Sequence, residues 1–229
     1  MAIAYVSYNI GGSNTNTCAL PAPPGAVAGN LIVALATGAL GLTPAPPAGW
    51  TTVATNTYSL LAWHIFASGE TSYTFTGFGG SSTEGTVLGI CYSGNVSTPV
   101  DVGALGTPIT ESTGSSPATP SVTTTAAGDF VASLWTAAAS PYNGTSVPQS
   151  PVVVDFEYVS GDPPAAGGHV VQSVAGASPS QTAALTLASG SVRVQAATLA
   201  LFGYSTPLAP TLNTPTNSSY APLAATPTF

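Results

Sequence analysis

Hydrophobic and polar positions alternate with a period of two along much of this chain, and helical periodicity is almost absent. Residues 71–77 are the plainest case: Tyr73 and Phe75 fall on one side, Ser72, Thr74 and Thr76 on the other. Residues 152–159 repeat the pattern, with Val152, Val154, Phe156 and Tyr158 on one predicted face and Asp155 and Glu157 on the opposite one. Strands patterned this way bury one face and wet the other. Residues 31–36, 59–66 and 196–202 are apolar on both faces and read as central strands covered on both sides. Turn-formers punctuate these runs: P-A-P-P-G at 21–25, P-A-P-P-A-G at 44–49, G-F-G-G-S-S at 77–82, G-D-P-P at 161–164 and G-G at 167–168. Many short strands joined by Gly/Pro turns predict an all-β chain, a β-sandwich of jelly-roll type.

The pattern recurs within the chain. G-N-L-I-V-A-L-A-T at 29–37 matches G-D-F-V-A-S-L-W-T at 128–136, and T-V-L-G-I-C at 86–91 matches A-T-L-A-L-F at 197–202. The offset grows from 99 to 111 positions, which an insertion at residues 140–151 would supply. A β-sandwich domain over 1–205 is expected, made of two half-repeats of about 1–105 and 106–205. Residues 206–221 have the Pro/Thr/Asn composition of a linker, and 222–229 read as the start of a further β module.

Charge narrows the function classes. The 229 residues include one basic side chain, Arg193, and no lysine; charged residues are 4% of the chain and the net charge is −7. Ordinary globular domains carry roughly 25% charged residues. Nucleic acid is a poor partner, because Lys and Arg supply the affinity for phosphates, and anionic membranes are disfavoured likewise. The most apolar stretch, 30–42, is too short to span a bilayer and contains Gly38 and Gly41, so no membrane insertion is expected. The first residues show neither a basic n-region nor a continuous apolar core, so no secretion signal is expected.

Candidate chemistry is sparse. Cys18 and Cys91 fit no metal spacing and read as two buried free thiols, with a disulfide between neighbouring strands as the alternative. His64 shares a predicted face with Leu60, Ala62 and Phe66 and reads as a core or interface histidine with one satisfied nitrogen; His169 reads as a surface residue at a strand start. Asp155 and Glu157, about 7 Å apart on one strand face, form with Asp162 the densest acidic group. That group reads first as a solvated face, with a weak calcium site or an inverting glycosidase pair as the alternatives. The chain has no G-x-S-x-G elbow, and G-F-G-G at 77–80 lacks the lysine of a phosphate loop. No catalytic residue, cofactor or metal is expected. Loop aromatics remain as ligand-binding candidates: Trp50 after P-P-A-G, which also reads as a cap on the core, Tyr142 in S-P-Y-N-G and Phe78 in its glycine turn.

Four strings in order carry a resemblance: G-N-L-I-V-A-L-A-T, P-P-A-G-W-T-T-V, L-L-A-W-H-I-F-A-S-G-E-T-S-Y-T-F-T and G-I-C-Y-S-G-N-V-S-T-P-V-D. They resemble a domain of minor tail proteins and related virion proteins of tailed bacteriophages, notably those of actinobacterial phages. S-V-T-T-T-A-A-G-D-F-V and A-A-T-L-A-L-F-G in the second half are similar to it as well, so the resemblance covers about residues 1–205. It implies a β-sandwich with a structural or adhesive role at a tail tip or fibre rather than an enzyme, and it supplies no site residues. Other virion proteins, further copies of this chain (a homo-oligomer, taken as a trimer) and a host cell-surface glycan are the partners it implies. The implied location is the virion tail, after assembly in the host cytoplasm. A cell-wall carbohydrate-binding module using Trp50 and Tyr142, and a capsid decoration or head-fibre protein, are the alternative readings. A surface with few ionisable groups suits a particle exposed to varying salt and pH.

Overall fold

The computed structural model describes residues 2–203 apart from 14, 39–40, 80–84, 112–114, 139–143, 162–163 and 188–191. Tyr142, Asp162, the linker at 206–221 and the segment 222–229 lie outside the described residues, as does the side chain of Tyr158. The first half comprises β1 (Ala4–Ser13), β2 (Thr17–Pro21), β3 (Leu31–Gly38), β4 (Thr51–Thr55), β5 (Ser59–Ile65), β6 (Ser72–Thr76) and β7 (Gly85–Ser93). The second comprises β8 (Val100–Leu105), β9 (Ile109–Glu111), β10 (Thr123–Thr124), β11 (Asp129–Ala138), β12 (Gly144–Pro148) and β13 (Val153–Gly161), then β14 (Ala165–Gln172), β15 (Gly176–Ala177), β16 (Ala183–Leu187) and β17 (Val192–Leu201). The protein is all-β, as the alternation predicted.

One sheet runs β1-β7-β3-β5-β4 and the other β16-β12-β13-β14-β11-β17-β8, with β9 also on β17; two ribbons, β2–β6 and β10–β15, complete the set. The two large sheets repeat one order. Reading β8, β17, β11, β14, β13 against β1, β7, β3, β5, β4 matches them strand for strand, and the ribbon β10–β15 answers to β2–β6. Two expectations change. Strand β8 belongs to the second sheet, so the halves meet before residue 100 and not after 105. The insertion at 140–151 contains a strand, β12, which pairs with β13 and β16. Register also refines the internal match. Leu31 pairs with Tyr92, and Phe130 with Leu201, which sets Ile90 against Leu199. That differs by two residues from the string alignment, and a two-residue slide keeps each side chain on its own face.

The halves form one sandwich. Leu31, Val33 and Leu35 of β3, with Leu88, Ile90 and Tyr92 of β7, pack against Phe130, Ala132 and Leu134 of β11 and Leu199 and Leu201 of β17. The opposite face of the first sheet (Ile32, Ala34, Ala36, Leu60, Ala62, Val87) is roofed by Cys18, Leu20, Tyr73 and Phe75 of the β2–β6 ribbon. This is why β3 reads as apolar on both faces: all eight of its residues are buried. On the second sheet, Val131 and Ala200 lie under Val122, and Trp135, whose Nε1–H donates to Pro117 O at 2.9 Å, sits with Ala166, Ala183 and Ala196. Each fully buried aliphatic side chain contributes about 1.5–3 kcal/mol. Polar contacts fix the sheets to each other: Thr86 Oγ1 donates to Ala137 O at 2.8 Å, and Asn56 Nδ2 donates to Gln195 Oε1 at 3.0 Å. The guanidinium of Arg193 lies 3.8 Å from the centre of the Tyr58 ring, so the one basic side chain serves an internal cation–π contact.

Gly167 and Gly168 form no turn. Both sit within β14, opposite Leu134 and Ser133 of β11. A Cβ on Gly167 would lie 2.5 Å from the Phe156 ring, so the glycine is what lets that ring seat itself between the sheets. Cys18 and Cys91 are free and buried; burial pushes their thiols up to about 12 and about 11. Among the described residues, no helix is long and apolar enough to cross a membrane.

Candidate functional site

Trp50 immediately precedes β4 and closes the outer edge of the first sheet. Its ring stacks on His64 of β5 (centroids 5.3 Å, 19°) and meets Tyr73 and Phe75 of β6 edge-on at 5.0 and 5.1 Å. The ring is half-buried, and His64 occupies one of its faces. His64 in turn has both nitrogens engaged and not one. Nδ1 lies 3.1 Å from Gly49 O, and Nε2 lies 2.9 and 3.0 Å from the two oxygens of Glu70. Both neighbours carry acceptor oxygens. Glu70 also accepts the Ala67 N–H at 2.8 Å and the Tyr73 hydroxyl at 3.1 Å. Burial acts to raise the Glu70 carboxyl, but the donors from Ala67, His64 and Tyr73 outweigh it and hold the group below the usual range. Burial, and after it the same carboxylate, pushes the Tyr73 phenol above its ordinary value. The sequence offered no pointer to Glu70 and Tyr73, because the turn between β5 and β6 brings them to His64.

The acidic group of the second half is rearranged relative to expectation. The β13–β14 register shifts between Val154 and Phe156, so Asp155 is the extra residue of a bulge. Its carboxylate turns inward and meets His169 Nδ1 at 2.7 Å, with 3% of the side chain exposed. Glu157 stays on the alternation and is exposed opposite Ala166, whose side chain belongs to the outer cluster. Asp155 and Glu157 therefore do not share a face, and a two-carboxylate glycosidase pair across them is overturned. The bulge also leaves Val154 45% exposed, against the predicted face. His169 is not at a strand start: it lies inside β14 and stacks on Phe130 at 4.1 Å, 21°. Nothing brings the two histidines together; His64 is part of the Trp50 group on the first sheet and His169 of the core of the second.

The Asp155–His169 pair orients an imidazole as a catalytic triad does, but among the described residues no hydroxyl or thiol hydrogen-bonds to His169. Its neighbours are aromatic. Phe156 stacks on Tyr8 at 4.1 Å and on Tyr5 at 6.5 Å, and Tyr92 meets Phe130 edge-on at 5.3 Å. Burial, then the Asp155 charge, pushes the Tyr5 phenol up to about 12 and the Tyr92 phenol well above its ordinary value. The group joins the two sheets and serves packing. Phe78, read as a loop aromatic that could bind a ligand, is fully buried under β7. Among the described residues no cluster of three or more His, Cys, Asp or Glu has a metal-binding arrangement. No family model, curated protein or solved structure matches the chain.

Proposed function

We propose that this chain is a structural and adhesive virion protein, a minor tail protein at the tip or fibre of a phage tail that contributes to host-surface attachment. The observation that carries the reading is where the four resembling strings fall. They occupy β3, the turn into β4, β5 with β6, and β7 running into β8, in that order. The likeness therefore extends over four of the five strands of the first sheet, β3, β4, β5 and β7, and over β6 of its roofing ribbon, rather than over isolated turns. The chemistry is compatible: a sandwich backed by a ribbon on each side, with its one cation turned onto Tyr58, leaves a hydroxyl-rich surface that meets partners through shape and apolar contact. Self-association into a closed ring of identical copies, a trimer in this reading, matches such a surface.

Immunogold electron microscopy of phage particles, with antibody raised against the folded chain, tests the reading. Label at the tail end is the expected result. Label on the head would replace the tail assignment with a capsid decoration role, and particles free of label would overturn the virion reading altogether.

A further inference from the structure

Four of the seven large apolar side chains that stay exposed among the described residues gather on one side of the second sheet: Val153 and Val154 of β13, Val171 of β14 and Val174 in the turn after it. Val153 and Val171 are the telling pair. Val153 pairs with His169 and Val171 with Phe130, and directly opposite residues share a face. His169 stacks on Phe130, which belongs to the core between the sheets. Both valines therefore face the first sheet, yet they are 56% and 64% exposed. The first sheet does not cover them. The strand of that sheet beside them is β1: Tyr5 pairs with Tyr92, which meets Phe130 edge-on, and Tyr8 and Tyr5 stack on Phe156 of β13.

β1 is an edge strand of ten residues that pairs with β7 alone. An edge is ordinarily blunted by shortness, charge, proline, a bulge or a cover. The other edges follow that rule. β4 has five residues and a register shift. β8 has six, a register shift and Asp101. β16 is covered by bridges from Ser115 to Leu185 and from Ala118 to Thr182. β1, A-Y-V-S-Y-N-I-G-G-S, has no charge and no proline, and its register shift lies near its start, between Tyr5 and Ser7. Its Ile10 N–H turns to a neighbour on the same strand and donates to Asn9 Oδ1 at 2.9 Å.

Charge selects the occupant. Residues 1–69 hold no Asp, Glu, Lys or Arg. Of the two acids on β13, Asp155 is turned inward onto His169 and Glu157 lies on the outer face. A charged partner finds no complement here, whereas an identical edge meets no repulsion and supplies the missing main-chain partners in both directions. We propose that this side docks a second copy of the chain. β1 pairs antiparallel with β1 of the other copy about a two-fold axis, and the contact covers Val153 and Val171. The contact is independent of the ring proposed above; where both operate, rings associate in pairs and the number of copies is even.

Light scattering coupled to size-exclusion chromatography of the full chain at micromolar concentration tests this. The expected mass is that of an even number of copies, two or six. Val153→Lys and Val171→Lys each place an unpaired charge in the contact, raise its dissociation constant by about 30-fold or more and halve the mass. Leu42→Lys, at an exposed apolar residue between β3 and β4, leaves the mass unchanged. Hydrogen exchange reads the main chain: the β1 amides that do not bond β7 exchange slowly in wild type and quickly in Val171→Lys. A wild-type monomer overturns the proposal together with self-association as a whole. A trimer keeps the ring and overturns the two-fold contact, as does an even-numbered assembly whose mass the two valine variants leave intact.

Discussion

Gly167→Ala is the sharpest probe of how the two sheets fit. The added Cβ would lie 2.5 Å from Phe156 Cε1 and 3.0 Å from Ile90 Cδ1, about 1 Å inside ordinary carbon–carbon contact. Phe156 has no room to withdraw. Its ring is stacked on Tyr8 at 4.1 Å and backed by Tyr5, both from β1 of the facing sheet. Overpacking of this kind costs about 1–3 kcal/mol. Replacing a strand glycine recovers about 0.5–1 kcal/mol of backbone entropy. The net expectation is a loss of about 1–2 kcal/mol, seen in urea unfolding as a lower midpoint at unchanged m. In a Phe156→Leu background the clash is relieved, and the same substitution costs less than about 0.5 kcal/mol, a coupling of about 1 kcal/mol in a double-mutant cycle. Gly12→Ala in β1, where an added Cβ meets nothing within 4 Å, is the control and should show only the entropic gain of about 0.5–1 kcal/mol. A Gly167→Ala protein as stable as wild type, or an equal loss in both backgrounds, would refute the reasoning.

Glu70→Gln removes the charge that gathers His64, Tyr73 and the Ala67 N–H, and is expected to cost about 1 kcal/mol near neutral pH. Because the folded carboxyl is depressed, its contribution is present above its unfolded value and fades as pH falls through the folded one. The gap between wild type and variant in urea midpoints should therefore close on acidification. Asp129 has the opposite sign. Burial, then Asp101, raises it to about 6, so its contribution is full below its ordinary 3.8 and lost as pH rises through about 6. Asp129→Asn should match wild type near pH 4 and exceed it at about pH 7.5 by up to about 3 kcal/mol; a less stable variant at the higher pH contradicts the reasoning. The buried thiols of Cys18 and Cys91 should ignore a thiol-specific chromogenic reagent in the native state and both react after denaturation, and prompt native labelling would show that the β2–β6 ribbon lifts off the first sheet.

Much of the fold was legible because a strand's burial writes itself into a period of two. Tyr73 and Phe75 are buried and their neighbours exposed along β6, as their alternation required. The apolar run in β3 announced a strand roofed on both faces. What stayed hidden depended on partners distant in sequence. Gly167 and Gly168 carry the signature of a turn, yet they are flat because Phe156 and Val152 fill the space their side chains would take. The bulge at Asp155 reverses the face of one residue, and alternation alone cannot register an extra position in one strand of a pair. Strand β12 lay in a segment rich in Pro and Ser, and only its pairing with β13 and β16, distant in sequence, identifies it as a strand. For the sites, Trp50 was placed correctly as a cap on the core. The groups around it, and the meeting of Asp101 with Asp129, arise from turns and neighbouring strands that no local spacing encodes.

The doubled strand order has a consequence for how stability depends on concentration. Each sheet offers the other an apolar face of similar make, much as two subunits of a face-to-face dimer do. Here the residues between β7 and β8, 94–99, replace a bimolecular encounter with a tether. A short tether of this sort corresponds to a local concentration in the millimolar range. Docking of the two leaves is thus insensitive to dilution. Cleaving the chain in that connection would leave the folded contacts in place but make their survival a matter of mass action, and the protein would begin to behave as the heterodimer its topology resembles.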